Sequence, residues 1–329
     1  MRIRFDRNIV RTALTCIVLL ASGPSLLADD PPQYSPWSAA VLVASPINGD
    51  GTISDDRPFI AKNNLDLYFR STRLGGNGLG DIYVSHRDTV DDPWETPINL
   101  GPEINTAFDE ADPFVTIDGH WLYFVSGRPD GCGGHDLWVS HRKDKRDDDS
   151  WETPKNLGCI VNSSATENSP AVFEDEATGQ TFLYFGSNRP GGKGGNDIYV
   201  STMVGEDHEI FGAPINVSEL NTTYGESVPF VRRKDGLEII FASGRPGGVG
   251  PVPWTDLWVS TRPDTLSPWS TPVNLGAPLN TPTNEVRPSL SWDGTTLYLS
   301  TDARWQQGDS GDVSMATRTK LKGKDKDPD

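Results

Sequence analysis

Acidic residues recur in this chain of 329 residues at a fixed distance from a proline. Each lies three residues before the proline of a strand-like segment, and the set is Asp55, Glu110, Glu167, Glu226 and Glu285. Two carboxylates in different environments can serve as general acid and base on a glycosidic bond, and a ring of carboxylates can hold a cation. Equivalent acids that crowd together instead raise one another's pKa values. Their regular recurrence therefore favours a structural role.

Arginines recur beside these acids. They follow the second strand-like segment of each repeat: Arg73, Arg128, Arg189, Arg245 and Arg304. We expect ion pairs between the two sets, because a nearby cation relieves the repulsion between carboxylates. Catalysis by one of the five acids is the alternative.

Three aromatic residues interrupt the repeating pattern in predicted loops: Tyr224, Trp254 and Trp305. Aromatic rings at one rim can stack on sugar rings or anchor a partner's side chain. These residues are therefore the candidates for ligand binding. The alternative is that the rings cover the backbone of their own loops.

Residues 48–56 partly match a calcium-binding loop. Asn48, Asp50 and Asp55 offer oxygen ligands, but Pro46 and Arg57 stand where the first and twelfth loop residues should bind the ion. This segment is a weak calcium candidate with a plain turn as the alternative. No other cofactor is expected.

The candidate residues belong to an internal repeat of short strands. A strand-like pentapeptide headed by aspartate begins at Asp81, Asp136, Asp197, Asp256 and, in a weaker form, Asp312. A complete copy holds four strand-like segments separated by turn residues, such as Asp118-Gly119 in the second copy. Repeated units of four antiparallel strands are the blades of an all-β propeller.

The ends of the repeat region predict how the ring closes. The last copy stops after its third strand, whereas the chain begins with a fourth-strand phrase at 37–48. We therefore predict a five-bladed β-propeller over 35–318, in which the N-terminal strand completes the last blade. An open array is the alternative, and it would leave a sheet edge exposed.

The phrases PFVTIDGHWLYFVSGRPDGCGGHDLWVS and SPAVFEDEATGQTFLYFGSNRPGGKGGNDIYVS resemble the WD40-like (PD40) propeller repeats of TolB and other exported bacterial proteins. The resemblance covers about 35–318 and implies a propeller. It implies little about function, because the family includes interaction modules and propellers appended to enzymes. The chain departs from the pattern at 62–64 and at 304–307.

The N-terminus has the pattern of a secretory signal peptide. Basic residues within 1–11 precede an apolar run at 12–21, which is shorter than the roughly 20 residues that a spanning helix needs. We expect a signal peptide at 1–28, a linker at 29–34, a charged tail at 319–329 and no transmembrane segment. The product would be periplasmic or secreted, where Cys132 and Cys159 are candidates for a disulfide.

The net charge of the chain argues against one class of binding partner. The 29 basic and 46 acidic residues give a net charge of -17, which argues against binding to nucleic acid. The main interpretation is a monomeric, exported binding module of the bacterial cell envelope that recognises a protein or a glycan on one face. The residues favour binding over catalysis and leave the question of an enzymatic activity open. The alternative is a carbohydrate-active enzyme that uses acidic residues at the mouth of the propeller channel.

Overall fold

A computed structural model describes residues 34–49, 51–205, 208–252, 254–301 and 311–321. Within these ranges the regular elements are twenty short β-strands and two single-turn helices. The predicted signal peptide at 1–28 lies outside the described residues, as does most of the predicted tail. No helix in the described part of the chain is long and apolar enough to cross a membrane.

The strands fall into successive groups along the chain. The first is a short strand, β1 (Val41–Leu42). The first repeat forms β2 (Asp55–Ile60), β3 (Asp66–Ser71), β4 (Asp81–His86) and β5 (Ile98–Asn99), followed by α1 (Gly101–Ile104). The second repeat forms β6 (Glu110–Val115), β7 (Trp121–Ser126), β8 (Asp136–His141) and β9 (Lys155–Asn156), followed by α2 (Gly158–Val161).

The other three repeats follow the same plan. The third repeat forms β10 (Glu167–Asp175), β11 (Gln180–Ser187), β12 (Asp197–Thr202) and β13 (Ile215–Asn216). The fourth forms β14 (Glu226–Val231), β15 (Glu238–Ser243), β16 (Asp256–Thr261) and β17 (Val273–Asn274). The fifth forms β18 (Glu285–Leu290), β19 (Thr296–Thr301) and β20 (Asp312–Thr317).

Consecutive strands of each repeat pair antiparallel, and β1 pairs antiparallel with β20. The second, third and fourth repeats are separate four-stranded sheets. The first and fifth repeats differ from the prediction of separate antiparallel units, because Asp55 of β2 pairs in parallel with Asp312 of β20. This single parallel pair joins them into one mixed, eight-stranded sheet.

The first strand of every repeat contains a β-bulge at its proline. In β6 the register shifts between Ala111 and Phe114, because Pro113 has no backbone N–H to donate to β7. The residue before the proline adopts a positive φ in all five repeats: Arg57, Asp112, Ser169, Val228 and Arg287. The bulge re-aims these side chains, so they depart from the alternation of the strand.

The five first strands pack against one another around a common axis. β2 contacts β6, β6 contacts β10, β10 contacts β14, β14 contacts β18, and β18 contacts β2. The backbone N–H of Ile60 in β2 donates to Oγ of Ser289 in β18 at 2.9 Å. Buried Phe59, Phe114 and Phe230 pack beside this axis. The first strands therefore line a central channel with two ends.

Loops after the second strands are held against the neighbouring repeat. Asp81 accepts hydrogen bonds from the backbone N–H of Asn77 at 2.6 Å and from the side-chain amide of Asn99 at 2.8 Å. A Cβ on Gly78 would lie 2.2 Å from the carbonyl oxygen of Phe108, so only glycine permits this close approach.

Candidate functional site

The acids that recur before each proline are enclosed by donors from their own repeat. Glu110 accepts hydrogen bonds from the backbone N–H and Oγ1 of Thr106, at 2.6 and 2.8 Å, and from Oγ of Ser126 at 2.7 Å. Its carboxylate lies 3.4 Å from Nη2 of Arg128. Asp55, Glu110, Glu167, Glu226 and Glu285 are each at most 1% exposed. The folded protein therefore keeps these side chains out of contact with solvent.

The recurring arginines fix the acids to the sheets. Nη2 of Arg189 lies 3.0 Å from Glu167 and donates to the carbonyl oxygen of Val161 at 2.6 Å. The guanidinium also lies 5.2 Å from the ring centroid of Phe185 and 4.9 Å from that of Tyr199. Arg73, Arg128 and Arg245 pair with Asp55, Glu110 and Glu226 in the same way. Arg304 lies outside the described residues, and burial raises the pKa of Glu285 to about 7.

The predicted binding aromatics do not form a described cluster. Tyr224 is 37% exposed, and Trp254 is half-buried. Trp305 lies outside the described residues. Neither Tyr224 nor Trp254 lines the largest cavity presented below.

The residues of the weak calcium candidate take part in protein hydrogen bonds. The side-chain amide of Asn48 donates to the carbonyl oxygens of Val43 and Val313, at 2.6 and 2.7 Å, and holds β1 beside β20. Asp55 accepts hydrogen bonds from Arg73 and Ser71. Asp50 lies outside the described residues. Elsewhere, Cys132 and Cys159 form a disulfide that joins the loop after β7 to α2.

Two rings of residues at the ends of the channel differ from repeat to repeat. The near ring comprises the residues immediately before the prolines: Arg57, Asp112, Ser169, Val228 and Arg287. The far ring comprises the residues four positions after the prolines: Lys62, Ile117, Glu174, Arg233 and Trp292. Neither ring was predicted from the sequence, because the repeat-breaking residues singled out there were aromatic residues of predicted loops. Aligning the repeats on their prolines would have exposed these variable positions.

Ion pairs connect three residues of the near ring. Asp112 accepts hydrogen bonds from Nη1 of Arg57 at 2.9 Å and from Nε of Arg287 at 3.1 Å. Burial alone would raise the pKa of Asp112, but the two arginines outweigh it and hold that pKa well below its usual range. The cavity at this ring has a volume of about 40 Å³, which holds only a few water molecules. No sugar ring fits there.

The far ring is connected by contacts between repeats. Nζ of Lys62 lies 4.6 Å from the ring centroid of Trp292. The carboxylate of Glu174 accepts a hydrogen bond from the backbone N–H of Ile117 and interacts electrostatically with Lys62 and Arg233. Arg233 is 3% exposed and donates to the carbonyl oxygen of Ile60 at 2.9 Å. A cation, a carboxylate and an indole ring therefore lie together at this end.

A cavity of about 630 Å³ opens beside the far ring, between the first and second repeats. A cavity of this volume has the size of a small-ligand site. Its lining combines carboxylates, cations and aromatic rings, and includes Lys62, Tyr68, Asp118, Arg142 and Trp292.

A hydrogen-bond network forms one wall of this cavity. Nδ1 of His86 lies 2.8 Å from Asp66, and Nε2 lies 2.7 Å from Asp148. Arg142 donates to Asp148 at 2.7 Å and to the hydroxyl of Tyr68 at 3.1 Å. Hydrogen bonds to Asp148 and Asp66 raise the pKa of His86 to about 10, so its imidazolium bridges two carboxylates at neutral pH.

Two carboxylates beside the cavity have opposite pKa shifts. Burial raises the pKa of Glu174, and the negative charge of Asp118 raises it further. Burial also acts to raise the pKa of Asp118, but hydrogen bonds from Oγ1 of Thr116 and the backbone N–H of His120 hold it below the usual range. Among the described residues, neither Asp118 nor Glu174 has an ion-pair partner within 4.0 Å. The pKa values of the two carboxyl groups are therefore shifted apart.

Comparison with known proteins adds information about the fold. No family model and no curated protein matches the chain. Among solved structures, the chain is similar to the catalytic domain of a GH62 α-L-arabinofuranosidase from Coprinopsis cinerea, with 12% identity over 88% of this chain and 98% of that one and a TM-score of 0.60. The chain is a β-propeller.

Two further structures of this propeller type are similar. An α-L-arabinofuranosidase from Lactobacillus brevis is 16% identical over 86% of this chain and 95% of that one, with a TM-score of 0.58. An endo-1,4-β-xylanase from Bacteroides thetaiotaomicron is 13% identical over 81% of this chain and 94% of that one, with a TM-score of 0.52. At these identities the likeness shows the fold alone.

These findings correct the sequence-based interpretation of function. The prediction of an envelope binding module is contradicted, because the similar propellers named above are two α-L-arabinofuranosidases and an endo-1,4-β-xylanase. The more specific resemblance to WD40-like repeats of TolB is not shown, because no family model matches the chain.

Proposed function

We propose that this propeller is a glycoside hydrolase in which Glu174 is the general acid and Asp118 is the base or nucleophile. The observation that carries the proposal is that Asp118 lines a cavity that can admit a sugar, while Glu174, which accepts a hydrogen bond from Ile117 of the same lining, has a pKa shifted in the opposite direction. Glycosidases need one protonated and one ionised carboxyl, and such pairs are recognised by environments that push their pKa values apart.

Each group has an environment that suits its role. Glu174 is half-buried next to the negative charge of Asp118, and both effects favour the protonated form that donates to a leaving-group oxygen. Asp118 is exposed and accepts two hydrogen bonds that favour its ionised form. In this role the ionised carboxylate would activate water or attack the sugar. Trp292 offers an apolar ring on which a sugar could stack.

The names of the similar propellers suggest the first substrates to test. They describe enzymes that act on α-L-arabinofuranosides and on 1,4-β-xylan. We therefore propose an arabinose- or xylose-containing polysaccharide as the substrate class for this chain.

The architecture and location belong to the same proposal. We infer five blades in a ring that β1 closes by completing the last blade. Support comes from the pairing of Val41 with Met315 and from the contact between β18 and β2. Export through a signal peptide at 1–28 agrees with the disulfide between Cys132 and Cys159, because disulfides persist outside the reducing cytosol.

Release of reducing sugar from arabinoxylan, arabinan and xylan tests the activity. The variants Glu174→Gln and Asp118→Asn should each lower kcat at least 100-fold on the substrate that the wild-type protein cleaves, because each removes one half of the acid–base pair. Glu176→Gln is the matched control, since this acid lies exposed on the same hairpin and should keep near wild-type turnover.

Two results would contradict the assignment. One is full turnover by Glu174→Gln, and the other is an absence of hydrolysis by the wild-type protein across the polysaccharides. Circular dichroism of each variant establishes that the fold is retained.

A further inference from the structure

The large cavity is locally cationic in a chain whose net charge is -17. Three carboxylates line it, whereas the cationic groups in its wall outnumber them. The carboxylates are Asp66, Asp118 and Asp148, and the cations are Lys62, His86, Arg142, Lys145 and Arg146. The excess of positive charge is therefore a property of the cavity and not of the surface as a whole.

Three of the five cations are already matched with carboxylates. Arg142 lies 2.7 Å from Asp148, and the imidazolium of His86 bridges Asp148 and Asp66. Arg146 lies 3.6 Å from Asp144 at the exposed surface. In the described part of the chain, Lys62 and Lys145 have no carboxylate within ion-pair distance. Lys145 has no described carboxylate partner and Lys62 meets only the longer-range charge of Glu174, so these two ammonium groups carry the excess positive charge.

Both lysines have their side chains packed against the cavity wall. Nζ of Lys62 lies 4.6 Å from the ring centroid of Trp292. The stem of Lys145 lies over Gly119, where an added Cβ would meet Cβ of Lys145 at 3.3 Å and Cδ at 3.5 Å. Gly119 has a φ of +83°, a conformation that side chains rarely adopt. The turn thus leaves room for the lysine stem, and both lysines, which are exposed, line the cavity.

We infer that the cavity recognises an anionic sugar, which Lys62 and Lys145 bind through a carboxylate or a sulfate group. An ammonium on a packed stem loses less conformational freedom on binding than a free one, which favours specific recognition over general attraction. The inference rests on the proposed function only in placing the cleaved bond next to Glu174. The charge preference itself concerns binding.

Isothermal titration on the Glu174→Gln background tests the inference, because binding is then measured without turnover. Glucuronoxylan should bind at least 10-fold more tightly than the same polymer after its carboxyl groups are reduced to alcohols. A sulfated xylan forms a parallel arm that distinguishes a sulfate from a carboxylate as the preferred anion. Tighter binding of either anionic polymer than of the neutral polymer supports the inference.

Substitutions of the two lysines test whether the preference for the anionic polymer arises in the cavity. Replacing Lys62 and Lys145 together with glutamine should abolish the advantage of the anionic polymer and leave binding of the neutral polymer unchanged. Lys143→Gln is the control, because Lys143 is exposed on the same loop but does not line the cavity. Equal binding of charged and neutral polymers, or an equal loss in Lys143→Gln, would overturn the inference. Either result is independent of the turnover assay that tests the proposed function.

Discussion

Among single residues, otherwise similar carboxyl groups differ in accessibility and pKa because the fold places them in different environments. Hydroxyl, backbone amide and guanidinium donors enclose four of the recurring acids, Asp55, Glu110, Glu167 and Glu226. Glu174 lies half-buried, and burial and Asp118 raise its pKa. An acid matters for catalysis when it is accessible and its pKa suits proton transfer, and the recurring acids fail the first condition.

His86 provides a test of the cavity wall. Its folded-state pKa of about 10 exceeds the ordinary 6.5, so the stabilisation from its protonation is fully present below about pH 6.5 and is lost as pH rises through 10. Chemical denaturation of the wild-type protein and of His86→Gln should therefore give free energies of unfolding that converge between pH 7 and pH 10.

The control for this prediction is His120→Gln. The His120 ring contacts the carbonyl oxygen of Arg142 and not a carboxylate, so its replacement should leave the alkaline decline in place. Parallel curves for the wild-type protein and His86→Gln over this range would show that the bridge between Asp66 and Asp148 does not depend on an imidazolium.

At the level of elements, four of the recurring arginines, Arg73, Arg128, Arg189 and Arg245, connect the first strand of their repeat to the connection that precedes it. Arg189→Ala should destabilise the protein by roughly 3–5 kcal/mol, because it leaves Glu167 charged and buried without its partner. Urea denaturation measures this loss. The exposed pair of Arg146 and Asp144 gives the comparison, since Arg146→Ala should cost less than about 1 kcal/mol.

A loss below about 1 kcal/mol in Arg189→Ala would contradict the structural role of these ion pairs. It would mean that the hydroxyl groups of Ser163 and Ser187 suffice to hold Glu167 ionised, or that the carboxyl is neutral in the folded protein.

The strands could be predicted from sequence because their determinants are local. Turn dipeptides such as Asp118-Gly119 and the aspartates that head the third strands recur in each copy, and they mark hairpins without reference to distant residues. The parallel pair of Asp55 and Asp312 has no such signal. It depends on how the first and last repeats meet, which no local pattern encodes.

The site could be predicted less well than the strands. Recurrence drew attention to Glu110 and its equivalents, whereas Glu174 occupies a position at which every repeat has a different residue. The positive φ before each proline also depends on the bulge, so the residues at the channel ends could not be placed from alternation alone.

Across the whole molecule, the residues that recur in every repeat hold the sheets together. The residues that vary between repeats lie at the ends of the channel and make those ends chemically different. The near ring is closed by Asp112 and two arginines, whereas the far ring adjoins the cavity of about 630 Å³. Function is therefore expected at the end where the repeats differ and space is available. We propose that Glu174 donates a proton to the leaving group at this end.

A comparison of substrates with different leaving groups tests whether Glu174 donates this proton. A substrate with a good leaving group needs little protonation, so Glu174→Gln should keep within about 10-fold of wild-type kcat on a dinitrophenyl glycoside of the preferred sugar. On the natural polysaccharide the same variant should lose at least about 100-fold, as expected for a missing general acid. Equal losses on the two substrates, or none on either, would contradict the assignment of Glu174 as the general acid.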